Sequence, residues 1–136
     1  VTEGTDPGPY ETNPSTGGKH FPATFKAGFY EEGDPETQRN FPEGYLVHNL
    51  EHGYVIFWYN CAAAPNGDCE ALKETIRSVM TLNDGLKLIA FPWADQPEPL
   101  VMTSWGRIMR FEEPDEEVMR DFVRGNLNKA PESYAD

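Results

Sequence analysis

Apolar positions divide the chain into an irregular first third and a periodic remainder. Residues 1–45 are dense in Gly, Pro, Asn and Thr, punctuated by Tyr10, Phe21, Phe25, Phe29 and Tyr30. They predict a long irregular loop region, ordered because aromatics at this density dock on something, with residues 1–9 loose at the start. From Leu46 the texture changes. In "YLVHNLEHG", Leu46 and Leu50 share one helical face, as do His48 and His52, and Gly53 is placed to end the turn. "YVIFWY" (54–59) is β-branched and aromatic and reads as a buried strand. Asp68 then caps a helix over about 69–82, striped by Leu72, Ile76, Val79 and Met80. "LKLIAF" (86–91) is a second strand, followed by the turn "PWADQPEP". "LVMTSWGRIMRF" (100–111) is a third, with a bulge or break at Gly106. "PDEEVMRDFVRGNL" predicts a closing helix with Pro114 at its start, acids in its first turn, and Val118, Phe122 and Val123 facing inward.

The order after residue 54 is strand, helix, strand, strand, helix. The first crossover implies a parallel pair and the Pro-rich turn an antiparallel one. An α+β (α/β-like) fold follows, with helices on a mixed sheet of three or four strands and residues 10–136 as one globular domain. The same order occurs in the second part of thioredoxin-like folds. With no CxxC in the chain, that likeness carries no redox function.

Composition changes this picture only by exclusion. The net charge of −12, with no Lys/Arg cluster, argues against nucleic acid as a partner. No segment approaches the ~18–20 consecutive apolar residues of a membrane span. The opening "VTEGTDPGPYETNPSTGG" is polar, lacks an initiator Met, and reads as the start of a processed or truncated product. Cys61 and Cys69 enclose the turn-rich "AAAPNGD". In an oxidising compartment they would close a disulfide; the alternatives are free thiols or two soft metal ligands, and the spacing matches no usual zinc knuckle.

Candidate chemistry gathers on the three histidines. His48 and His52, four apart on a helix, project their imidazoles from one face about a turn apart, close enough to bind one ion. His20 supplies a third donor if the "GGKH" loop folds over that helix. The bland alternative is a pair of structural histidines, His48 bonded to a loop carbonyl and His52 at the helix C-terminus. The stretch also spells HxxEH, a metalloprotease arrangement with Glu51 as general base, but Gly53 cuts the helix short and a buried strand follows at once. Glu51 is better cast as a group that orients a histidine or caps a backbone group. Met102 and Met109 are candidate thioether ligands for copper, or core filler. Trp58, Trp93 and Trp105 give no specific signal.

Taken together, "NPSTGGKHFP", "LVHNLEHGYVIFWY", "TSWGR" and the C-terminal "APE" resemble a bacterial family of unknown function, number 3105, over about residues 10–132. Ser15 stands where that family often has a second Pro, Gly18-Lys19 replaces Gly-Pro, and Ser104 replaces Ala; every histidine is kept. Members often follow an N-terminal signal or membrane anchor. The resemblance therefore implies an extracytoplasmic domain (periplasmic, cell-surface or secreted) from which such a segment has been removed. The leading expectation is a non-enzymatic protein that carries or sequesters copper, with zinc as runner-up, through His20, His48 and His52 and a possible Met102 or Met109. The alternatives are a zinc-dependent hydrolase using Glu51, or a structural or interaction domain without metal.

Overall fold

A computed structural model describes all 136 residues. Its centre is a five-stranded mixed sheet in the order β1-β3-β2-β4-β5. β2 (Val55–Tyr59) and β3 (Leu88–Pro92) run parallel, joined by α2 (Cys69–Val79). β4 (Leu100–Ser104) returns antiparallel to β2, and β5 (Arg107–Phe111) pairs antiparallel with β4. β1 (Gly28–Phe29) adds a parallel edge beside β3. α1 (Glu43–Glu51) precedes the sheet's central strand and α3 (Glu116–Asn126) closes the fold. Every residue of β2 is buried, as expected of a central strand covered on both faces. No helix is long and apolar enough to cross a membrane.

The alternation of side chains along each strand sorts the core into two halves. Val55, Phe57, Leu88, Leu100 and Met102 pack under α2 and α3, with Ile76, Val79, Met119 and Phe122. Ile56, Trp58, Ile89, Phe91 and Val101 pack on the other face, against Leu46 and Leu50 of α1 and the aromatics of the N-terminal third. Ahead of β1 the chain forms turns and bends, and it buries Phe21 and Phe25 in this second half. A disulfide joins Cys61 to Cys69, fastening the loop after β2 to the first residue of α2.

The sheet has more strands than the sequence predicts, and one reason is local. "LVMTSWGRIMRF" is a hairpin, turning at Trp105-Gly106 with Ser104 opposite Arg107. Gly106 supplies the left-handed conformation the turn requires, at φ +73°. Apolar alternation continues on both sides of the turn and so resembles one broken strand. Val118 is exposed; Met119, one residue on, takes the inward place beside Phe122 and Val123. α2 ends at Val79, three residues earlier than expected, and Asn83 and Asp84 then adopt φ +54° in a short 3-10 turn.

Candidate metal centre

α1 lies with Tyr45, Leu46, Val47 and Leu50 buried, which leaves His48 and Glu51 at the rim of a cleft. The helix stops because Gly53 takes φ +93°, where a Cβ would meet Asn128 Cα at 2.7 Å. His52 is the C-terminal cap residue. Two of the candidate residues therefore sit on one rigid element, at the spacing read from the sequence.

His20 reaches them because the N-terminal third is clamped onto α1. Phe21 N–H donates to the Gly44 carbonyl at 3.0 Å, and the fully buried Phe21 ring presses on Gly44. A Cβ at Gly44 would stand 2.3 Å from that ring, so only glycine admits this approach. Four residues further on, the buried Asn49 amide accepts from Phe25 N–H at 2.9 Å and donates to Phe25 C=O at 2.8 Å. These contacts carry His20 to His48, with ring centroids 4.9 Å apart.

A second clamp works from the C-terminal end. Lys87 Nζ donates to His52 C=O, Asn128 Oδ1 and Ser133 C=O, at 2.9, 2.8 and 2.7 Å. Glu132 N–H donates to Glu51 C=O at 2.9 Å. The tail is thereby folded back on the end of α1, and Glu132 faces His52, Oε1 to Nε2, at 3.7 Å. Burial of the Lys87 ammonium pushes its pKa below the usual lysine value.

The hydrogen bonds tie down one nitrogen of each outer ring. His20 Nδ1 lies 2.9 Å from the Gly18 carbonyl, and His52 Nδ1 lies 2.9 Å from the Asp136 backbone oxygen. A carbonyl can only accept, so both Nδ1 atoms carry a hydrogen, and each Nε2 is the atom left to take a proton or a cation. Each Nε2 faces a carboxylate: His20 Nε2 is 3.2 Å from Glu51 Oε1. Two acceptors facing each other need a proton or a cation between them. Between the two outer rings stands His48, 4.6 Å from His52 by centroid. Its Nδ1 is buried without a hydrogen-bond partner, which leaves Nε2 as the atom available to the cleft. Burial, and then the neighbouring His52 and His20, push the His48 pKa down; the Phe21 backbone, outside hydrogen-bonding geometry, and Glu51 act the other way.

The donors fall into two sets that share His48: His20, His48 and Glu51, and His48, His52 and Glu132. Within each set the ligand atoms lie within 4.8 Å of one another. The expected three-imidazole set is thus divided: His20 and His52 each group with His48 and a glutamate, but not with each other. Glu51 enters as the direct neighbour of His20. Glu132 was not anticipated; the only signal for it in the sequence is its place in the terminal "APE". The cleft beside these residues encloses ≈ 660 Å³.

Other candidates lie elsewhere. Met102 and Met109 face each other across β4 and β5, and Met102 is buried under α2 and α3, on the sheet face opposite α1. They are not brought to the histidines, because their parity along the strands turns them the other way. The bonded cysteines pack against that same far half of the core. Trp58 Nε1 donates to Thr103 Oγ1 at 2.7 Å and Trp93 Nε1 to Asn13 Oδ1 at 2.9 Å, so both indoles are structural anchors.

Two imidazoles and a carboxylate are donors suited to zinc, copper, iron or nickel, and the absence of nearby sulfur disfavours copper(I). No curated protein and no solved structure shows significant similarity to this chain. A family model does match, described as "Protein of unknown function (DUF3105)", over residues 4–136. The match spans nearly the whole length, all three histidines and both clamps included, and the chain belongs to the DUF3105 family.

Proposed function

We propose that this protein binds one divalent transition-metal ion at the His20, His48 and His52 cluster and carries or sequesters it outside the cytoplasm. The observation that carries the reading is the pair of Nε2 atoms, each on a ring held by an Nδ1–H···O=C bond and each facing a glutamate. Metal-binding histidines are held in this way, with the second nitrogen tied to a carbonyl so that tautomer and ring orientation are set before the ion arrives. The lowered pKa of His48 adds a third imidazole that stays neutral, as a ligand must.

Copper(II) is the leading ion, since it heads the divalent affinity order for imidazole sites, and zinc is second. The nitrogen and oxygen donors suit both. Removal of the two methionines from the ligand set takes away the reason to invoke copper(I). The disulfide supports an oxidising, extracytoplasmic location. The strand order after residue 54 stays compatible with a thioredoxin-like arrangement. No dithiol chemistry follows, because the only two cysteines are bonded together far from the histidines.

A hydrolase remains the second reading, favoured by one observation: a three-donor set opening on a cleft leaves coordination positions for water. Against it, Glu51 points at His20 Nε2 itself and is better placed to ligate or orient than to take a proton from water.

The test loads the purified protein with one equivalent of Cu2+ or Zn2+, desalts it and measures the retained metal. Wild type is expected to keep close to one ion per chain and His48→Ala to keep none. Wild type without retained metal overturns the proposal.

A further inference from the structure

The division of the donors has a consequence of its own, which rests on the metal-binding reading. We propose that the centre is a two-station relay: one ion alternates between the His20–His48–Glu51 station and the His48–His52–Glu132 station, never leaving His48. The arrangement of the donors carries this. Each station supplies three ligand atoms within 4.8 Å, and no such set contains both His20 and His52. His48 is the only residue in both, and its second nitrogen is buried beneath the cleft. A neutral imidazole with one accessible lone pair binds one ion at a time. Occupancy of the two stations is therefore exclusive.

The spacing fits small first-row ions. With bonds of about 2.0–2.1 Å, neighbouring ligand atoms around a tetrahedral ion stand roughly 3.3 Å apart. His20 Nε2 and Glu51 Oε1 are already 3.2 Å apart, with the His48 ligand atom within 4.8 Å of both. His52 Nε2 and Glu132 Oε1 are 3.7 Å apart and must close slightly. The stations differ in which ligand is exposed: the Glu132 side chain is 41% exposed against 17% for Glu51, and the His20 side chain 22% against 14% for His52. Transfer between them is ligand exchange alone. One imidazole–metal and one carboxylate–metal bond form as their counterparts break, and the oxidation state does not change.

Copper(II) reports the two environments directly. One equivalent of Cu2+ in the wild-type protein is expected to give an electron paramagnetic resonance spectrum with two components, and no second ion is retained after desalting. His20→Ala or Glu51→Gln should remove or alter one component, and His52→Ala or Glu132→Gln the other. Each variant should still retain one ion, with affinity lowered only about twofold, because comparable stations share the bound population. The conservative Glu→Gln variants guard against a histidine variant that fails to fold. A single wild-type component that His20→Ala and His52→Ala abolish alike, with affinity falling beyond the about 10–100-fold that even a supporting residue costs, would mean one conventional site and would overturn the relay. Two retained ions per chain would overturn exclusive occupancy. Neither outcome touches the metal-binding proposal, which fails separately if wild type retains no copper.

Discussion

Gly44 touches no candidate ligand, yet it should control the site. Its replacement by Ala places a methyl carbon 2.3, 2.5 and 2.7 Å from three atoms of the Phe21 ring. That ring is fully buried and meets Tyr45 edge-on at a centroid distance of 4.9 Å, so it cannot rotate away without opening the core. Overpacking of this kind typically costs about 1–3 kcal/mol. Expulsion of Phe21 forfeits roughly the same, about 1.5–3 kcal/mol of burial. Helix propensity opposes this by up to about 1 kcal/mol, and less here, since Gly44 lies in the first turn of α1. The net expectation is destabilisation by ~1–2 kcal/mol, read by urea denaturation. Because Phe21 follows His20 directly in the chain, copper retention should weaken as well, although every ligand is intact. Phe21→Ala in the same background removes the obstacle, so a double-mutant cycle should show Gly44→Ala close to neutral once the ring is gone. A Gly44→Ala protein as stable as wild type, with unchanged copper affinity, would refute the clamp.

Other consequences follow from the same geometry. Asn49→Ala leaves the Phe25 N–H and C=O without partners in a buried setting, and the loss should reach about 2–6 kcal/mol in a denaturant titration, at ~1–3 kcal/mol for each stranded group. Lys87→Met frees the tail that holds Glu132, so hydrogen exchange after residue 127 should accelerate while the amides of β2 stay protected. Cys61→Ser with Cys69→Ser should cost roughly 2.5 kcal/mol, the value for so short a loop, and leave metal retention unchanged, since the bond lies across the sheet from the histidines. Metal affinity should fall as pH drops, because protons compete for the imidazoles. For the metal-free protein the sign is the same: the folded-state pKa of His48 is depressed. Its contribution to stability is therefore present above the unfolded value and lost as pH falls towards the folded one. Thermal melts at pH 8 and pH 5 should show a smaller drop for His48→Gln than for wild type.

Much of the centre was legible because it rests on local periodicity. The i, i+4 spacing of His48 and His52, the stop at Gly53 and the β-branched run of β2 all express backbone geometry within a few residues. The sulfur ligands failed for an equally physical reason. Alternation along β4 sends Val101 and Met102 to opposite faces, but nothing local says which face α1 will cover. Glu132 was hidden because its position depends on three bonds from Lys87, a residue in a different part of the chain. Gly44 was equally silent, since a glycine in a helix looks like a weakness until the ring that needs the space is in view. The hairpin at Trp105-Gly106 shows the same limit: a two-residue turn hardly interrupts the apolar alternation on either side.

The central claim is that imidazole nitrogens, supported by carboxylate and without sulfur, hold a transition-metal ion at the end of α1. X-ray absorption at the metal edge of the loaded protein tests it most directly. The expected spectrum has a first shell of nitrogen and oxygen at about 2.0–2.1 Å for zinc, with the outer-shell scattering of at least two imidazole rings. A sulfur shell at about 2.3 Å, or a first shell without imidazole scattering, would contradict it.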